Sequence, residues 1–287
     1  MIAIFRNQAG MLRNGWWILL FYLALAALLV PTTVYASKHG MQVGIPVQAL
    51  LVVVATTLCL FARRQHPRTV MGTFQSWRRG LPAGLLAGTA IWGITALALW
   101  VSGSVSWDWN TAGVHALLTG LWDCMAVAIV EELLFRGFPF QRLIDGIGAW
   151  PAQLVMAAYF TLTHSSGLAA AGELQWLATA NIFLASLLFG ACYLLTRSLA
   201  LPIALHFALN FVQGPLLGFG VSGHGTNGLL VSHIGPTATW WTGGAFGLEA
   251  SLPGTLVILA ALGATLFLLR RPQTSTTQYD NPGSLQK

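Results

Sequence analysis

The chain has 287 residues, of which 55% are hydrophobic and only 8% charged, with a formal net charge of +6. A soluble domain carries about 25% charged residues, so this chain cannot clothe a water-facing surface, and its hydrophobicity excludes disorder. The basic residues sit in short clusters between apolar runs, which makes the positive balance a topology signal rather than a nucleic-acid footprint.

Eight apolar runs follow one another: Trp16–Tyr35, Pro46–Ala62, Leu81–Val101, Gly113–Phe135, Ala149–His164, Trp176–Thr196, Leu199–Gln213 and Leu252–Leu269. The second, fifth and seventh are short. Runs approaching 20 residues match the thickness of a bilayer, and in lipid each must be helical to satisfy its own backbone. They are too long and too uniformly apolar for the strands of an outer-membrane barrel. The expected fold is therefore all-α, a polytopic membrane bundle of about eight transmembrane helices. With that count, every basic residue except Lys38 falls on one side. The positive-inside rule makes that side cytoplasmic and places both termini there. A multi-pass protein of a bacterial-type plasma membrane is expected, with membrane lipids as its surroundings and no nucleic-acid partner.

The first run is read as an uncleaved helix, although Val34-Tyr35-Ala36 resembles a signal-peptide cleavage site, because it exceeds a signal core of about 7–15 residues. The segment from Arg63 to Gly80 mixes arginines with Val70, Met71, Phe74 and Trp77 and reads either as an interfacial helix or as a basic topogenic loop. The outer loop from Gly214 to Ser251 is rich in glycine, lacks Lys and Arg, and holds His224, His233, Trp240, Trp241 and Glu249. The tail after Arg271 is polar and expected to be disordered. Cys59, Cys124 and Cys192 lie in apolar runs, are odd in number and form no CxxC, so neither a disulfide framework nor a zinc knuckle is indicated.

The informative residues are polar ones inside apolar runs, where a charge costs about 2.5–3.5 kcal/mol. The fourth run ends with Glu131 and Glu132. Glu132 and Arg136 are four apart and share a helix face, so they can neutralise each other. Glu131 is rotated about 100° away and has no such partner, which leaves it free for chemistry. His164 ends the fifth run; alone it reads as an interfacial histidine. His206 and Asn210 are four apart on one face of the seventh run and must face protein or water rather than lipid; alone they read equally well as an interhelical hydrogen bond. Asp123, within the fourth run, reads better as a polar contact between helices than as part of a site. Taken together, a carboxylate, two imidazoles and an amide form a set suited to water activation and oxyanion stabilisation.

EELLFRG at Glu131–Gly137, FTLTH at Phe160–His164 and HFALN at His206–Asn210 match the patterns EExxxR, FxxxH and HxxxN, in that order. In this combination the chain resembles the CAAX protease and bacteriocin-processing family, the Abi-type intramembrane glutamic endopeptidases. The resemblance covers a catalytic core at 113–219. It leaves residues 1–112 as three N-terminal helices with a basic loop, 220–271 as outer loop and last helix, and 272–287 as tail.

The resemblance implies hydrolysis of a peptide bond by water, without an acyl-enzyme. Glu131 would be the base and His164 would hold the water. His206 and Asn210 would donate to the oxyanion, and Glu132 with Arg136 would support the helix. The substrate implied is a peptide or protein, with or without an attached lipid. No cofactor is required by this set; zinc held by Glu131, His164 and His206 is the chemical rival. Outside protease chemistry, the same charges fit a proton-coupled transporter, or a non-catalytic immunity or scaffold protein. One geometric tension stands in the sequence: from the helix starts, His164 lies about 22 Å along its helix and His206 only about 10 Å along its own. Their convergence requires tilt, a late start to the fifth helix, or a bend near Pro202.

Overall fold

The computed structural model describes residues 2–6, 10–225 and 227–271. The tail expected to be cytoplasmic and disordered, 272–287, lies outside them. Nine helices of ten residues or more carry the described fold. They are α1 (Asn14–Lys38), α2 (Ile45–Ala62), α3 (Phe74–Val101), α4 (Gly113–Phe135), α5 (Phe138–Ile147), α6 (Ala149–Thr163), α7 (Gln175–Thr196), α8 (Ala200–Phe211) and α9 (Leu252–Arg270). Each of the eight apolar runs is thus a helix. By length and composition, six stretches are able to cross a membrane: α1, α2, Arg68–Val101 ending in α3, Gly113–Ile147 spanning α4 and α5, Gly172–Thr196 ending in α7, and α9. The chain is a multi-pass helical membrane protein on that ground. Helices α6 and α8 are shorter, and α8 runs on into a π-helical turn at Val212–Leu216 that contains Pro215.

Two features depart from the sequence reading. The third helix begins at Phe74 rather than Leu81, because Thr73 caps it by accepting the Ser76 amide at 3.2 Å. Arg78 and Arg79 therefore ride on its first turns, and of the segment read either as an interfacial helix or as a basic loop, residues 63–73 hold a single helical turn, Arg68–Met71. The fold is also not purely helical. Strands β1 (Val105–Trp109) and β2 (Leu230–Ile234) form a two-stranded antiparallel sheet in the register Val105↔Ile234 to Trp109↔Leu230.

The tightest helix contact is parallel. Gly80, Gly84 and Gly88 of α3 face Ala200, Ala204 and Ala208 of α8 in step. A Cβ placed on Gly84 would lie 2.6 Å from the Ala204 Cβ and 2.6 Å from the Leu201 carbonyl oxygen. Small residues at four-residue spacing let two backbones approach closely, which is how helices associate where lipid removes the hydrophobic drive.

The loops gather at opposite ends of the bundle. At one end, Ser198 donates to the Met71 carbonyl at 3.0 Å, and Gln141 of α5 donates to the Thr69 carbonyl and the Tyr193 hydroxyl, each at 2.6 Å. This is the end that bears the arginine-rich linkers. At the other, Trp107 donates to the Leu217 carbonyl at 3.0 Å and Asn110 to the Gly228 carbonyl at 2.9 Å. The long loop after α8 is therefore folded back onto the sheet end, with much of its backbone in turns.

Candidate active site

A cavity of about 850 Å³ opens among α4, α6, α7, α8 and the loop after α8. Glu131, His164, His206 and Asn210 all line it. Their convergence is local. The His206 Nε2 lies 3.7 Å from Glu131 Oε2, and the His164 Nε2 lies 4.0 Å from the same oxygen. That carboxylate oxygen accepts no hydrogen bond from another described residue. The Glu131 side chain is 23% exposed and His164 16%, so both face the cavity from a mostly buried setting.

A late start of α6 does not bring His164 and His206 together; the His164 ring itself turns back toward its own helix. Helix α6 starts at Ala149 without delay, and Gln153 locks it to α7 by donating to the Leu187 carbonyl at 2.8 Å. His164 is the C-cap of α6. Its ring folds back over Phe160, with centroids 4.5 Å apart, and its Nδ1 bonds the Phe160 carbonyl at 2.8 Å. The imidazole is thereby returned one turn toward the level of His206.

These contacts also fix both tautomers. A backbone carbonyl can only accept, so Nδ1 of His164 carries its proton. On His206, Nδ1 meets Glu132 Oε1 at 2.9 Å, and that carboxylate is paired with Arg136 at 3.1 Å. Nδ1 of His206 is therefore also a donor. Phe189 stacks on the His206 ring at 4.7 Å and 10°. Both histidines consequently present Nε2 to Glu131, each held by a partner outside the cavity chemistry.

Glu132 and Arg136 form the support beneath. Their side chains are 0% and 1% exposed. Besides Glu132, the guanidinium donates to the Ser186 carbonyl at 2.8 Å and the Ser186 hydroxyl at 2.6 Å, tying α4 to α7. It lies over the rings of Phe160 and Phe189 at 5.0 and 5.2 Å, where cation–π attraction in a dry setting contributes further. Glu132 thus does more than neutralise Arg136: it holds the second imidazole.

Asn210, one turn beyond His206, is partly exposed on the cavity wall. Asp123 is exposed on that wall as well, in place of the interhelical contact expected for it. Further polar residues of the lining include His115, Asn181, His224 and Glu249, none of which belongs to the three motifs. Glu249 sits in the short turn Leu248–Ala250 before α9. Its Oε2 accepts from the Ser222 amide at 2.7 Å and the Ser222 hydroxyl at 3.0 Å. Burial pushes its carboxyl above the usual carboxylate range, while the Ser222 hydrogen bonds and the nearby imidazoles pull it back. Among the described residues, no three His, Cys, Asp or Glu side chains are grouped to hold a metal ion.

Residues 113–212 match the family model described as type II CAAX prenyl endopeptidase Rce1-like. That segment contains all three motifs and agrees with the CAAX protease resemblance they carry. Searches of curated proteins and of solved structures gave no match to the chain.

Proposed function

We propose that this chain, through its Rce1-like domain at residues 113–212, is an intramembrane endopeptidase that uses Glu131 to activate water. The observation that carries the reading is the meeting of three groups: one oxygen of Glu131 faces the Nε2 atoms of both His164 and His206 inside a cavity large enough for a peptide.

The donor and acceptor inventory assigns the roles. If Glu131 is ionised and both histidines neutral, three acceptors face one water, which has only two protons to give. The mismatch disappears when His206 is the imidazolium. It then donates Nδ1–H to Glu132 and keeps Nε2–H for a substrate oxygen. The water donates to Glu131 and to the lone pair of His164 Nε2. Glu131, Glu132, Arg136 and His206 then sum to zero charge, the least costly state for a cluster at membrane depth.

The reaction follows from this arrangement. Water attacks the scissile carbonyl carbon as its proton passes to Glu131. The carbonyl oxygen becomes an oxyanion that accepts from His206 Nε2–H and from the Asn210 amide. Collapse of the tetrahedral intermediate breaks the C–N bond, and the proton on Glu131 goes to the departing amine. No Lewis acid is needed for any of these steps. Glu132 acts through His206, and Arg136 holds Glu132 in place.

The family description names prenyl endopeptidases, so a lipid-bearing peptide or protein is the substrate class that it favours. The arginine distribution favours a plasma membrane orientation with the linkers at 63–73, 136–148 and 197–199 in the cytoplasm. The deciding experiment is Glu131→Gln in purified protein, with peptide-library cleavage read by mass spectrometry. Loss of all cleavage with unchanged folding is expected; full turnover by the variant would defeat the reading.

A further inference from the structure

The wall of the cavity made by α7 and the turn before α9 has a pronounced chemical bias. Asn181 of α7 is 1% exposed. Its Nδ2 donates to the Ser251 carbonyl at 3.2 Å. A carbonyl cannot donate, so this bond fixes which end of the amide is which. The other end, Oδ1, is a buried acceptor without a hydrogen-bond partner among the described residues. Such an orphan costs free energy unless something supplies a donor.

Two residues before Ser251, Glu249 adds a carboxylate to the same cavity, and Ser222 holds it in position through two hydrogen bonds. Ser222 itself has a φ of 50°, a left-handed backbone that a non-glycine residue adopts at some cost. The turn that contains it is thus held against its preference, with its amide and hydroxyl aimed at Glu249. The described residues lining the cavity include Asp123 as well, and no Lys or Arg. The wall therefore offers a buried acceptor and a carboxylate, while the His206 ring in the same cavity is engaged with Glu132 through Nδ1 and faces Glu131 through Nε2.

From this we infer that Asn181 and Glu249 form a subsite for a cationic nitrogen of the substrate, an ammonium or guanidinium seated beside the scissile bond. An ammonium has three protons to donate and a guanidinium five. Either satisfies Asn181 Oδ1 and pairs with Glu249 in a setting where charge-assisted hydrogen bonds are strong. The inference rests on the cavity being the peptide site proposed above, and it deepens that reading by naming a substrate class: peptides with Lys, Arg or a free N-terminal amine close to the cleaved bond.

The test separates the subsite from the chemistry by measuring binding to Glu131→Gln protein in nanodiscs. Fluorescent peptides are compared that differ only in Lys against norleucine, Arg against citrulline, and free against acetylated N-terminus. The pair that shows the preference identifies the source of the cation. A preference of about tenfold or more for at least one cationic form is expected, as for one charge-assisted hydrogen bond to a buried partner. Adding Glu249→Gln should remove the preference and leave the affinity of the neutral peptide unchanged. Equal binding of all pairs, or an equal loss for charged and neutral peptides on Glu249→Gln, would overturn the subsite. Cationic preference in binding combined with no cleavage by the wild type would instead refute the protease reading and leave the subsite standing.

Discussion

Replacing Glu132 by Gln tests the internal logic of the site more sharply than replacing Glu131. Arg136 is 1% exposed and keeps its bonds to Ser186 and its aromatic cage in the variant, but its counter-charge is gone. Removing one partner of a buried pair costs about 3–5 kcal/mol, because the remaining charge is stranded. Arg136 and His206 both donate to the same oxygen, Oε1, and Gln keeps an oxygen at that place, so the hydrogen bonds persist to a neutral acceptor and the lower figure of about 3 kcal/mol applies. At about 2–4 °C per kcal/mol for a chain of this size, the midpoint should fall by about 6–12 °C. Glu131→Gln, at a partly exposed carboxylate with no hydrogen bond to Oε2, should shift it by about 2 °C or less. Thermal unfolding in detergent, read by size-exclusion chromatography of heated samples, measures both. The double variant Glu132→Gln, Arg136→Met then separates packing from chemistry. It removes both charges and should recover most of the stability while remaining inactive, since His206 still lacks its carboxylate. Equal midpoints for the two single variants, or an active double variant, would refute the division of roles between the adjacent glutamates.

The other expectations are more direct. Asn210→Ala should lower the catalytic rate about 100-fold or more with little change in folding, as for the loss of one oxyanion donor; steady-state kinetics on a cleaved peptide checks it. Purified active protein should contain well below one zinc per chain by elemental analysis, and chelators should inhibit weakly; stoichiometric zinc whose removal abolishes activity and whose return restores it would defeat the metal-free mechanism. Gly84→Leu should abolish folded protein, because even a Cβ there meets Ala204 and the Leu201 backbone at 2.6 Å; a monodisperse, stable variant would show that the α3–α8 seam is dispensable. In a background lacking Cys59, Cys124 and Cys192, an impermeant thiol reagent should label Asp108→Cys but not Arg68→Cys in intact cells; the reverse pattern would invert the topology.

How much of this was readable from the sequence depends on how each residue announces itself. Glu132 and Arg136 do so twice, by being charged where charge is expensive and by their four-residue spacing. Their ion pair follows from helix geometry alone. His206 is equally visible, but its bond to Glu132 spans 74 positions and needs the packing of α8 against α4. The axial offset of His164 is a matter of helix placement in the sequence, and part of it is taken up by a ring that folds back over Phe160 at a helix end, which no periodicity encodes. Asn181 and Glu249 are single polar residues, one in an apolar helix and one in a glycine-rich loop, and neither has a partner at a fixed spacing. The sheet went unseen for a similar reason. Each strand has five residues, and more than 100 positions separate partners, so nothing local marks their pairing. The glycine spacing on α3 is written in the chain, but the helix that receives it is not.

That spacing bears on where this protein could be cut. The region of family likeness, 113–212, begins after α3, yet α3 supplies the surface on which the helix bearing His206 and Asn210 rests, methyl against bare backbone. A fragment trimmed to the recognisable segment would carry every motif and lack the template that sets their depth. Similarity and mechanical integrity have different borders here. Grafting the segment onto foreign leading helices would succeed only if they reproduced the same three gaps.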